Sequence, residues 1–75
     1  MKYLVIELQK TGDDVASIIN KRDNFNQAQS TYHQILAAAA VSSVEVHSAI
    51  IMSDEGEVYN KESFFHPIEP ENLEE

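Results

Sequence analysis

The chain has only two glycines, and their placement constrains its fold more than any other feature. Gly12 stands in "KTGDD" and Gly56 in "DEGE". Each lies among acidic turn formers and separates two runs rich in β-branched and aromatic residues, the pattern of a strand that reverses on itself. "KYLVIELQ" (Lys2–Gln9) predicts a first strand, Lys10–Asp14 a turn, and "VASIINKR" (Val15–Arg22) the returning strand. "VEVHSAIIMS" (Val44–Ser53), the turn Asp54–Glu57 and "VYNKESFF" (Val58–Phe65) predict a second pair. Its last strand is the less apolar, which suits a sheet edge.

Between the pairs the apolar period changes. Phe25, Ala28, Tyr32, Ile35, Leu36, Ala39 and Ala40 step by three and four, one face of a helix. Asn24 is the expected N-cap, with Gln27 at capping-box spacing; Asp23 is the other candidate. Ala37 and Ala38 lie off this stripe. They serve helix propensity, or they let a helix of another subunit approach closely.

The order β-β-α-β-β predicts an α+β fold: a ββαββ, four-stranded antiparallel sheet with one helix packed on one face. Residues 1–66 form the single compact domain. Residues 67–75, rich in proline and glutamate, are expected to be an acidic, disordered tail. One helix covers only one sheet face. Val5, Ala49 and Ile51, or their register partners, are then left on the other, and a face that apolar needs a cover.

A 75-residue chain buries only about 60% of its unfolded surface. It has no cysteine, hence no disulfide and no thiolate metal site. Self-association is the remaining common means of stabilising so small a domain, and a homo-oligomer is expected. With 13 acidic against 5 basic residues, the chain is not expected to bind nucleic acid directly or to bind an anionic membrane. Its longest apolar run, Ile35–Val41, falls far short of the ~20 residues of a bilayer span. The opening apolar run is broken at Glu7, unlike a secretory signal, and a cytoplasmic location is expected.

Sequence signals for catalysis are weak. His33, His47 and His66 show no paired metal-ligand spacing. Ser42, Ser43 and Ser48 stand near His47, but no nucleophile-elbow glycines flank them. No catalytic residue, metal or cofactor is expected. The acidic turn at Asp54–Glu57 lacks the alternating ligands of a calcium loop. Lys21 and Arg22 directly precede the helix, where free backbone N–H groups and the helix dipole favour an anion. The plainer reading is that the same two residues close a strand and offset nearby acid.

From Tyr32 to Val58, "YHQILAAAAVSSVEVHSAIIMSDEGEV" resembles a group of small, uncharacterised proteins encoded by bacteriophages and prophages of Gram-positive bacteria. Tyr32, His33, Leu36, Ala38–Ser42, His47, Ala49, Glu55 and Gly56 carry the shared pattern, and the likeness covers most of Lys2–Tyr59. The resemblance implies a phage setting and the cytoplasm of an infected or lysogenic host; it brings no activity with it. In that setting the leading expectation is a non-enzymatic binding protein that sequesters a small anionic or nucleotide ligand, such as a host immune signal. Tyr32 would stack a base, and His33, His47, Lys21 and Arg22 would hold phosphate or ribose. One alternative is an acidic inhibitor of a host defence protein, anti-CRISPR-like or a DNA mimic. The other is a virion or assembly accessory that only self-associates.

Overall fold

The computed structural model describes Met1–His66. The expected tail, residues 67–75, lies outside the described residues. Five elements follow in order: β1 (Tyr3–Thr11), β2 (Asp14–Arg22), α1 (Phe25–Ala40), β3 (Val46–Ser53) and β4 (Val58–Phe65). The strands form one antiparallel sheet in the order β2-β1-β3-β4, with α1 packed on one face. This is the ββαββ architecture that the alternating periods predict.

The first turn is tighter than Lys10–Asp14. Thr11 pairs with Asp14, so only Gly12 and Asp13 lie outside the ladder. Gly12 takes φ +61° while Asp13 does not enter the left-handed region. Glycine at the first central position matches a type II′ hairpin turn. The second turn is organised by Ser53, which is 1% exposed. Its hydroxyl accepts the N–H groups of Glu55 and Glu57, each at 3.1 Å. Gly56 sits at φ +94°, where a side chain is strained.

Helix α1 starts where the cap signal places it. Asn24 is extended, and its Oδ1 accepts the Gln27 N–H at 2.8 Å. The helix ends without glycine or proline through two i→i−3 bonds, Val41 N–H to Ala38 and Ser42 N–H to Ala39. A further bond comes from outside: the His66 ring donates from Nε2 to the Ala39 carbonyl, 2.8 Å away. Val44 and Glu45 fall in the connection rather than in β3. Glu45 instead ties the β1–β2 turn to the residue after β4 at the same end of the sheet, its carboxylate accepting the Gly12 N–H and its carbonyl the His66 N–H.

Val5, Ala28, Tyr32, Ile35, Ala49 and Ile51 form the core, with Tyr3, Phe25 and Leu36 at its edge. Ala39 is also buried, whereas Ala40 is exposed and does not join the apolar stripe. The pairing Val5↔Ile51 and Glu7↔Ala49 therefore lies under the helix. Their register partners, Leu4, Ile6, Leu8, Ile50 and Met52, occupy the opposite face.

Candidate functional site

A small pocket opens where α1 meets the β3–β4 hairpin. Register creates it. Ile51 pairs with Asn60 but Met52 pairs with Val58, so Tyr59 is an extra residue in β4. Such a bulge bends its strand and re-aims a side chain. Here Tyr59 reaches the helix side and packs its ring 5.3 Å from Phe25 and 6.0 Å from Tyr3. Tyr3 and Phe25 close the cluster edge to face at 5.5 Å. Phe25 and Tyr59 wall the pocket, Ile51 floors it, and Gln29, Tyr32, His33 and Asn60 supply polar groups.

Tyr32 is the unusual member. It is 2% exposed, yet among the described residues its hydroxyl has no hydrogen-bond partner. Leaving a buried donor unmatched costs about 1–3 kcal/mol, and buried polar groups are nearly always matched. Burial, followed by the nearby charge of Glu62, pushes the phenol above its ordinary pKa. The group is therefore a neutral O–H donor at physiological pH. His33, one residue on, places its ring 5.5 Å from that of Tyr32 and lines the same pocket.

The cavity measures about 100 Å³, the volume of roughly three liquid waters. Sites that enclose drug-sized molecules run to about 300–1,000 Å³. A broader depression of about 470 Å³ lies along Gln9, Thr11, Asp14, Val15 and Ala16, on one hairpin alone. The smaller pocket is better suited to recognition: two aromatic walls, two side-chain amides and an imidazole line it, and Tyr32, whose hydroxyl is enclosed, lines it beside them.

The five residues singled out from the sequence separate in space. Tyr32 and His33 share the pocket. Arg22 lies on the β2 flank of α1, where Nε donates to Thr31 Oγ1 at 3.0 Å and Nη1 to the Lys21 carbonyl at 2.9 Å. Lys21 pairs with Leu4 on the sheet face away from the helix. The helix N-terminus carries the Asn24 cap, and the adjacent Asp23 pairs with Lys2. A carboxylate thus flanks the end at which Lys21 and Arg22 suggest an anion.

His47 belongs to a separate polar chain. The ring is 4% exposed, with Nε2 2.6 Å from Glu7 Oε2 and Nδ1 3.0 Å from Ser42 Oγ. A carboxylate only accepts, so Nε2 carries a proton; Nδ1 and the Ser42 hydroxyl share the second bond. Ser42 Oγ also accepts the Val44 N–H at 3.3 Å, and Gln9 donates to the same Glu7 oxygen at 3.0 Å. Burial alone would raise Glu7, but hydrogen bonds from His47 and Gln9 hold its carboxyl below the usual range. A histidine between a hydroxyl and a carboxylate has the connectivity of a nucleophilic triad. The same two bonds also make it a strut, because they join β1 and β3 to the exit of α1.

Gln29, Tyr59 and Asn60 escaped the sequence reading. Nothing local marks a bulge at Tyr59, and isolated amides carry no motif. The Glu7–His47 pair did leave a trace: Glu7 interrupts the apolar face of β1, and His47 interrupts that of β3. Among the described residues, no cluster of three or more His, Asp or Glu side chains converges on a metal position, and no helix is long and apolar enough to cross a membrane. No protein-family model, curated protein or solved structure matches the chain.

Proposed function

We propose that this chain is a non-enzymatic binding protein whose ligand presents a small, neutral, planar group with hydrogen-bonding edges to the Tyr32 pocket. The unmatched, buried Tyr32 hydroxyl carries this reading. A ligand acceptor that displaces the pocket lining to reach it would remove the cost of leaving that donor without a partner. The Gln29 and Asn60 amides each offer a donor and an acceptor, the complement of a heterocycle edge. Phe25 and Tyr59 offer aromatic surface to its plane. A single pyrimidine-like ring suits the volume, with any sugar or phosphate remaining outside. That differs from phosphate-led binding, because Lys21 and Arg22 stand away from the pocket. The phage resemblance supports a setting in host cytoplasm, where holding a host nucleoside or nucleotide would be sequestration.

The test is isothermal calorimetry with uridine, cytidine and adenosine, on the wild type and on Tyr32→Phe. Binding of one nucleoside, weakened about tenfold by loss of one hydroxyl, is the expected result. Equal affinity in the two proteins would reject the site. Labelling of Ser42 by a fluorophosphonate would contradict the non-enzymatic reading.

A further inference from the structure

The register sorts the outer sheet face into four rows of four, read across β2, β1, β3 and β4. They are Lys21–Leu4–Met52–Val58, Ile19–Ile6–Ile50–Lys61, Ser17–Leu8–Ser48–Ser63 and Val15–Lys10–Val46–Phe65. Ten of these sixteen positions are apolar. Ile19, Val15, Val58 and Phe65 are 56%, 65%, 52% and 69% exposed. Singly exposed apolar residues are ordinary, but a contiguous patch of this size marks an interaction surface.

Charge on this face is distributed unlike that of the whole chain. Against 13 acidic residues in the sequence, none of the sixteen positions is acidic. Three of the five basic residues are there, and all three stand on the perimeter: Lys21 at a corner, Lys61 on the β4 edge, Lys10 in the end row. The four central positions are Ile6, Ile50, Leu8 and Ser48, and Ser48 turns its hydroxyl to Ser63 at 2.8 Å. An apolar centre with a charged rim is the layout of a protein interface.

We infer that this face is covered by the same face of a second copy, forming a two-fold dimer with the helices outward. A two-fold axis running along the strands lays β2 over β4 and β1 over β3. Ile6 of one copy then meets Ile50 of the other, Leu4 meets Met52, Val15 meets Phe65, and Ser17 meets Ser63. Lys21 falls on Val58, Lys61 on Ile19 and Lys10 on Val46, so no lysine opposes a lysine. Their stems lie on apolar neighbours while the ammonium groups reach the margin. A self-complementary pattern of this kind is what a two-fold interface requires, and packing sheets tolerate it at an angle of about −30°.

Size agrees. Eight residues along and four strands across give a footprint of about 25 by 19 Å. Two such footprints bury roughly 1,000 Å² before side-chain corrugation is added, at the threshold of a specific interface. The acidic turns project from the two ends of the sheet, clear of the contact. Repulsion between two chains of net charge −8 is thereby kept at a distance.

Sedimentation equilibrium of the full chain tests this, with Val15→Glu and Phe65→Glu, which oppose each other across the axis and whose side chains the monomer already exposes. The wild type is expected to be a dimer at about 100 μM. Each variant is expected to weaken it about thirtyfold or more, the effect of pressing an unpaired carboxylate onto an apolar neighbour, with unchanged far-UV circular dichroism. A folded wild-type monomer would overturn the inference. So would a dimer that both variants leave intact, which would place the interface elsewhere. Flotation of a wild-type monomer with phosphatidylglycerol vesicles would assign the lysine-rimmed face to a membrane instead.

Discussion

Tyr32 and His47 are both buried polar residues, and they are handled in opposite ways. His47 has both ring nitrogens matched, whereas Tyr32 has its hydroxyl unmatched among the described residues. Replacing Tyr32 with Phe removes the unmatched group and keeps the ring. The unliganded protein should be unchanged or up to about 1 kcal/mol more stable by urea denaturation, while ligand binding falls. A large loss of stability would mean that the hydroxyl has a partner. At the strut, Glu7 has its pKa lowered on folding, so its contribution is complete above the unfolded carboxylate pKa. That contribution is lost as pH falls through the folded value. The wild type should therefore lose more stability between about pH 6 and about pH 3 than Glu7→Gln does. At neutral pH the variant should be about 1 kcal/mol less stable. Parallel pH profiles for the two proteins would show that the pair contributes nothing.

At the scale of elements, the strands and helix were legible because their periods differ and their punctuation is strong. Gly12, Gly56 and Asn24 stand where the backbone needs them. Replacing Asn24 with Ala should cost about 1 kcal/mol, and Gly56→Ala about 1–2 kcal/mol. Both are measurable as shifts in denaturation midpoint. What stayed illegible was which face of β1 meets the helix. Tyr3 and Val5 are as apolar as Leu4 and Ile6, so alternation alone does not choose. The choice is made between strands, where Glu7 and His47 share one face and bond across it. The bulge at Tyr59 was hidden for a related reason. It is a mismatch between two strands, and neither strand records it alone. The pocket depends on that bulge, so of its polar lining only Tyr32 and His33 stand out in the sequence alone.

For the whole molecule, one small core serves a two-layer fold that has a third surface to cover. Linkage makes the consequence measurable: if copies pair on the outer face, the melting temperature must rise with protein concentration. A melting temperature that is flat over a hundredfold dilution would contradict pairing. Acid is divided between turns at opposite ends of the sheet, Asp13 and Asp14 at one and Asp54, Glu55 and Glu57 at the other. The outer face between them is left to apolar residues and lysine. The pocket lies on the far side of the sheet from that face, so pairing and ligand capture are compatible, with one ligand per chain.

Native mass spectrometry of the untagged protein, incubated with a nucleoside mixture, tests ligand capture most directly. The predicted species carries one nucleoside mass per chain, and Tyr32→Phe under the same conditions carries much less. A folded wild-type protein that takes up no added mass would contradict the binding function, whatever its number of chains.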